Sequence, residues 1–252
     1  MQDIYIGDEG KGFPLVLVHG FLGSSRMWKP QIDFFKDHFR VITPDLPGFG
    51  KSNKAKLHNS IKSMSNLILE CLKEKKINKF HLLGHSMGGM IVQEMAIKKG
   101  DKISKLICYS TGPIGEMPGR FETVDESREN LKKNGLKIMA RSVAKTWFAK
   151  GEDAKYFKVC IQAGKQTSIE AADNSLAAFK KWNGVDKLKS IKNKTLIIWG
   201  DKDKSYNLSQ AKTLEKNISN SLLVIFDGCA HNVHLEKIQE FNRTVLNFIN
   251  NE

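Results

Sequence analysis

The 252-residue sequence predicts an α/β fold: a mostly parallel central sheet with helices on both faces and an all-helical insertion. Two observations carry this. Short apolar runs alternate with segments of helical periodicity along most of the chain, and between about residues 113 and 183 the runs stop while the helical periodicity continues. Alternation of this kind calls for a parallel sheet, whose crossover helices then cover its faces.

Leu15-Val16-Leu17-Val18, ending in His19-Gly20, reads as a buried strand, because a strand covered on both faces shows a continuous apolar run. Helical pattern follows from about Ser25 to Lys36, with Trp28, Ile32 and Phe35 on one face. Val41-Ile42-Thr43 is the next strand, stopped by Pro44, and Asp45-Leu46-Pro47-Gly48-Phe49-Gly50 is a turn-rich loop. A helix over about 60–76 and a strand at Phe80-His81-Leu82-Leu83 lead into Gly84-His85-Ser86-Met87-Gly88. From there a helix runs to Lys99, and Leu106-Ile107-Cys108-Tyr109 is a further strand. Between Pro113 and Asn183, Ile138, Met139, Val143, Trp147 and Phe148 suggest one amphipathic face, and a helix from Ser168 to Trp182 is capped at Thr167 or Ser168. Alternation resumes with Leu196-Ile197-Ile198-Trp199, a helix near 208–217, Leu222-Leu223-Val224-Ile225-Phe226 and a final helix over about 237–250. Residues 1–112 and 184–252 are thus expected to form the core, and 113–183 a helical cap upon it.

Composition narrows the function classes. Hydrophobic residues at 40% and charged residues at 27% exclude a disordered chain, a collagen-like repeat and a disulfide scaffold. No apolar run exceeds five residues, against roughly 18 for a membrane helix, so no membrane partner is expected. Met1-Gln2-Asp3-Ile4 lacks a basic region followed by an apolar stretch, which predicts a cytoplasmic protein. Cys71, Cys108, Cys160 and Cys229 lie far apart without metal-ligand spacing and read as reduced thiols. The net charge of +13 raises the question of nucleic acid, but the excess is spread along the chain and 34 of the 40 basic residues are Lys. Only six are Arg, the side chain suited to phosphate and base forks, so a solubilising surface is expected and no nucleic-acid partner. No cluster of carboxylates or histidines suggests a metal, and no glycine-rich phosphate loop suggests a nucleotide; no cofactor is expected.

The chemistry is concentrated in Gly84-His85-Ser86-Met87-Gly88, a G-x-S-x-G between a strand and a helix. A serine there sits on a strained turn that lifts its hydroxyl above the sheet edge, and the Met87 N–H points to the same place from the helix N-terminus. A serine nucleophile needs a base, and the base an orienting carboxylate, in the chain order Ser, Asp or Glu, His. Downstream of Ser86 only two histidines occur, His231 and His234, both after the last strand. Asp201 and Asp203 follow the preceding strand, so acid and base are present in the required order.

These segments resemble the α/β-hydrolase fold superfamily with a helical cap, over nearly the whole chain from His19-Gly20-Phe21 through Pro44–Ser52 and the elbow to Cys229–Glu236. The resemblance implies Asp203 as the acid, three residues after the glycine ending the strand, and His231 as the base, with Asp201 and His234 as competing candidates. It places the second oxyanion donor on the Phe21 N–H beside that of Met87, and makes His19 a loop-organising residue. Ser86 argues against the related dehalogenases and epoxide hydrolases, which carry a carboxylate at the elbow. Serine with a histidine base favours acyl transfer, and hydrolysis of small or medium carboxylic esters is the expectation. The relatives leave alternatives: carbon–carbon hydrolases of the meta-cleavage type, in which a tryptophan commonly stands where this chain has Asn232, enol-lactonases, and ligand receptors on the same fold. The substrate is expected to be a small-molecule ester, lined by Ile114, Met139, Trp147, Phe148 and Val233 on the strength of their apolar character.

Overall fold

In the computed structural model, which describes residues 4–116 and 119–251, seven strands form one sheet. They are β1 (Ile6–Glu9), β2 (Pro14–Val18), β3 (Arg40–Pro44), β4 (Phe80–His85), β5 (Ile103–Tyr109), β6 (Lys194–Gly200) and β7 (Ser221–Phe226), in the order β1-β3-β2-β4-β5-β6-β7. Every pairing is parallel except that of β1, which runs antiparallel to β3 at the edge. This four-residue Ile-Gly-Asp-Glu segment was not among the predicted strands; an exposed edge strand buries too little to need an apolar run.

The strands distribute their side chains alternately to two cores. Val16, Val18, Leu82, Leu106 and Ile197 face one, and Leu15, Leu17, Leu83, Ile107 and Ile198 the other. Helices cover both. After α1 (Lys29–Phe35), α2 (Ile61–Glu74) and α3 (Met87–Lys99) come three helices between β5 and β6, namely α4 (Val124–Thr146), α5 (Phe157–Lys165) and α6 (Ile169–Lys181). α7 (Leu208–Asn217), the short α8 (Val233–Glu236) and α9 (Ile238–Asn250) complete the chain. The first core is packed by α2 and α3, the second by α1 and α9. α3 shows little amphipathic pattern, because Met87 through Ala96 are all buried between the sheet and α2. α9 shows the opposite, with Phe241, Val245, Phe248 and Ile249 forming one apolar stripe.

The α4–α6 segment leaves and rejoins the sheet through a narrow neck. Ile114 and Asn183 form an antiparallel bridge, flanked by Gly115 N–H to Trp182 O (3.0 Å) and Gly184 N–H to Pro113 O (2.8 Å). α4 begins with a capping box, in which Thr123 and Glu126 satisfy each other's amides, and kinks at Gly135, whose φ of 74° lies outside the helical region. Ser168, one of the two predicted caps, accepts from Ala171 N–H at the start of α6. Arg128 makes a bidentate bond to Asp173 (2.7 and 2.8 Å), joining α4 to α6. Met139, Val143 and Trp147 share a buried face at a spacing of four, whereas Ile138, rotated about 100° from Met139, is 57% exposed. All four cysteines are buried and unpaired, and no helix among the described residues is long and apolar enough to cross a membrane.

Candidate active site

The backbone at Ser86 is strained and held. Its φ of 56° and ψ of −117° lie where a residue with a side chain rarely goes. The strain persists because the surroundings over-determine it: Ser86 N–H donates to Tyr109 O (2.9 Å), and its carbonyl accepts from Gly89 N–H and from Thr111 Oγ1, both at 2.8 Å. The flanking glycines are required sterically. A Cβ on Gly84 would overlap the Gly88 carbonyl, and one on Gly88 would overlap the carbonyls of Val18 and His19 on the neighbouring strand end.

The loops after β6 and β7 lie side by side because those strands pair in register from Thr195↔Ser221 to Gly200↔Phe226. That adjacency brings His231 to Asp203: Nδ1 lies 2.9 Å from Oδ2, with both side chains almost fully buried. The other oxygen of Asp203 accepts from the N–H groups of Ser205 (2.7 Å) and Tyr206 (3.2 Å), which fixes the carboxylate plane. Asp201 faces elsewhere. Its Oδ2 pairs with Lys202 Nζ at 2.7 Å, and that partner holds its pKa below the usual carboxylate value.

His231 is anchored by its backbone. Its carbonyl lies 2.9 Å from Tyr109 Oη and 3.2 Å from His85 Nε2, and the adjoining Asn232 N–H donates to Trp147 O (2.9 Å). Glu236 completes the clamp, accepting from Ala230 N–H (2.7 Å) and Ala149 N–H (2.8 Å). His234 is fully buried beneath this loop, with Nδ1 2.9 Å from Tyr109 Oη, and burial pushes its pKa down to about 3. It is a neutral spacer at any working pH. His19 is likewise structural. Its Nε2 accepts from Leu46 N–H (2.9 Å), so Nδ1 carries the proton and donates to Gly20 O (2.8 Å). This ties the loop carrying Phe21 to the loop after β3. Burial keeps His19 below its ordinary pKa, and likewise pushes the Cys229 thiol up to about 12, so that it is un-ionised at neutral pH.

Among the described residues, neither the Phe21 N–H nor the Met87 N–H has a hydrogen-bond partner. Phe21 itself, Ser86, Trp147 and His231 line one small, partly open cavity of about 20 Å³, room for roughly one water molecule. The other predicted lining residues lie elsewhere. Ile114 is in the neck, Met139 packs inside the insertion, Phe148 lines an outer groove beside Cys229 and Leu235, and Val233 belongs to the second core. Asn232 is also away from the cavity, wholly buried with its amide 3.4 Å from Cys160 Sγ. Sequence reasoning missed Arg120, Phe121, Val143 and Phe179, together with Ser205 and Tyr206, which complete the walls. Two signals were available: Tyr206 stands three residues after Asp203, and Arg120 is one of few arginines in a lysine-rich chain.

Residues 14–238 match the family model of the α/β hydrolase fold, and the chain belongs to that family. It is similar to a pimeloyl-[acyl-carrier protein] methyl ester esterase of Legionella pneumophila, 28% identical over 235 residues that cover 91% of this chain and 92% of the relative. A 2-hydroxy-6-oxononadienedioate/2-hydroxy-6-oxononatrienedioate hydrolase of Comamonas testosteroni is 27% identical over 277 residues, covering 98% and 91% respectively. Among solved structures, an esterase from Exiguobacterium antarcticum superposes with a TM-score of 0.90 at 25% identity, over 98% of this chain and 96% of that one.

Proposed function

We propose that this hydrolase is a serine esterase that cleaves carboxylic esters of small or medium acyl chains through an acyl-enzyme, with residues 113–183 acting as a cap over the site. In this reading His231 Nε2 takes the proton of Ser86 Oγ as that oxygen attacks the ester carbonyl. Asp203 holds the imidazole by Nδ1 and stabilises the imidazolium that forms, while the free N–H groups of Phe21 and Met87 receive the developing oxyanion. His231 then returns the proton to the departing alkoxide. A water molecule, deprotonated by His231, attacks the acyl-enzyme and releases the acid, restoring Ser86.

The observation that carries this reading is the 2.9 Å His231–Asp203 contact on the wall of the cavity that Ser86 also lines. The methyl ester esterase relative and the esterase neighbour favour ester substrates. Against the carbon–carbon reading stands Asn232, whose buried amide is engaged with Cys160 rather than with the cavity. Since a site of about 20 Å³ is far below the hundreds of Å³ of a ligand pocket, the cap has to move to admit a substrate. Steady-state hydrolysis of p-nitrophenyl acetate, butyrate and octanoate by the wild type beside Ser86→Ala tests the proposal. Sustained turnover that the variant lacks is expected; equal rates in both proteins, or no turnover, would overturn it.

A further inference from the structure

Two polar groups on the cavity wall have hydrogen-bonding capacity to spare. Arg120 places its guanidinium 4.4 Å from the centre of the Phe121 ring, and its Nη1 makes every hydrogen bond it has among the described residues: to Glu122 O (2.7 Å), Thr123 O (3.4 Å) and Ser127 Oγ (2.9 Å). Among the described residues, Nε and Nη2 donate to no atom and no carboxylate pairs with the group. The nearest candidate, Glu122, is engaged instead by Ser127 Oγ and by Asn130 Nδ2. Arg120 is half-buried, and desolvation holds its pKa below the ordinary value although the Glu122 charge opposes the shift. Across the same cavity, Tyr206 is 2% exposed and its hydroxyl also has no partner. That hydroxyl lies near Ser86 and Thr111, yet no aligned hydrogen bond forms to either. A buried hydroxyl left unpaired is costly, and the half-buried guanidinium beside it has its Nε and Nη2 donors to offer. Both are satisfied together by one ligand group: an anion with two oxygens, which takes the guanidinium fork on its edge and the phenol O–H at its side.

We propose that Arg120 and Tyr206 form a carboxylate subsite next to Ser86, so that the preferred substrates are esters bearing a second, ionised carboxylate. This rests on the esterase reading above and narrows it to a substrate class. The apolar rings of Phe21, Trp147 and Phe179 would cover the chain between the two carbonyl groups, while Arg120 and Tyr206 fix its charged end. The spread of surface lysines adds a favourable field for an anionic substrate but no discrimination of its shape.

The test compares esters that differ only in that charge, with acid release followed by titration at constant pH. Monomethyl succinate, glutarate and adipate are each set against the neutral ester in which an isopropyl group replaces the carboxylate. Carboxymethyl butyrate is set against isobutyl butyrate, which puts the charge on the alcohol side. The wild type is expected to favour the anionic member of at least one pair by about 10-fold or more in kcat/KM, the size of a charge-assisted pair of hydrogen bonds. In Arg120→Met that preference, taken as the ratio within a pair, should fall by about 10- to 100-fold, mainly through KM, and in Tyr206→Phe by about 3- to 10-fold. Circular dichroism monitors folding; should Arg120→Met fail to fold, Tyr206→Phe and Arg120→Lys, which keeps the charge but loses the fork, decide the matter. A wild-type ratio at or below one in every pair, or a ratio indifferent to these substitutions, overturns the subsite while leaving ester hydrolysis standing. No turnover of any of these esters overturns the esterase reading and the subsite with it.

Discussion

His81 offers a clean test of how burial sets the acid stability of this fold. It sits on β4 at 7% exposure, its ring centre 4.6 Å from that of Phe13 and 5.8 Å from that of Phe39. Its Nδ1 has no hydrogen-bond partner among the described residues, and burial, with a smaller contribution from the Lys105 charge, takes its pKa down from 6.5 to about 4. The unfolded chain therefore binds a proton at His81 more tightly than the folded one. The stability due to the neutral ring is fully present above about pH 6.5 and is lost as pH falls toward 4, because unfolding then takes up a proton. With about 1.4 kcal/mol per pKa unit, lowering the pH from 7 to 5 removes about 2 kcal/mol through this residue. His81→Phe keeps a ring between Phe13 and Phe39 and removes the titration. Urea unfolding of both proteins at pH 7 and pH 5 should show the difference between them moving by about 2 kcal/mol in favour of the variant at the lower pH. The other buried histidines, His19, His85, His231 and His234, are common to both proteins and cancel. An unchanged difference at the two pH values would refute the assignment of the depressed pKa to burial of this ring.

Three further outcomes are expected. Asp203→Asn should lower kcat on a p-nitrophenyl ester by about 10³- to 10⁴-fold by disturbing the imidazole it holds, whereas Asp201→Asn should stay within about twofold of the wild type. Gly88→Ala drives a Cβ into the Val18 and His19 carbonyls and should cost about 1–3 kcal/mol, read as a fall in Tm of about 3–10 °C. Arg128→Ala removes the bidentate link from α4 to α6, whose side chains are 31% and 28% exposed; a loss of about 0.5–1 kcal/mol is expected, shrinking in high salt and accompanied by faster amide exchange in α6.

The order of strands and helices was legible because it is written in local periods. Leu15–Val18, Leu106–Tyr109 and Leu196–Trp199 are buried on both sides and so show as unbroken apolar runs, and α9 shows its stripe at a spacing a single helix dictates. β1 escaped notice because an edge strand of Ile-Gly-Asp-Glu carries no such run. Ser86 could be singled out for the same local reason: the glycines and the strand-to-helix transition that create its strained turn are neighbours in the chain.

What lies between distant segments was decided by the tertiary structure alone. Asp201 and Asp203 both follow β6, and only the family resemblance favoured Asp203; the parallel register of β6 and β7 turns Asp203 toward His231 and leaves Asp201 to Lys202. Apolar character in the insertion did not say which side chains face Ser86, since packing between helices and lining a cavity ask for the same residue types. The rotation of α4 decided that Trp147 and Val143 reach the cavity while Met139 does not, and the return of the loops put Arg120 and Tyr206 there as well. Sequence by itself determined the elements and the strained turn at Ser86, because both follow from short-range sterics and burial. The partners of that turn, and the charged group opposite it, depend on contacts across dozens of residues, which only the folded sheet and its insertion bring together.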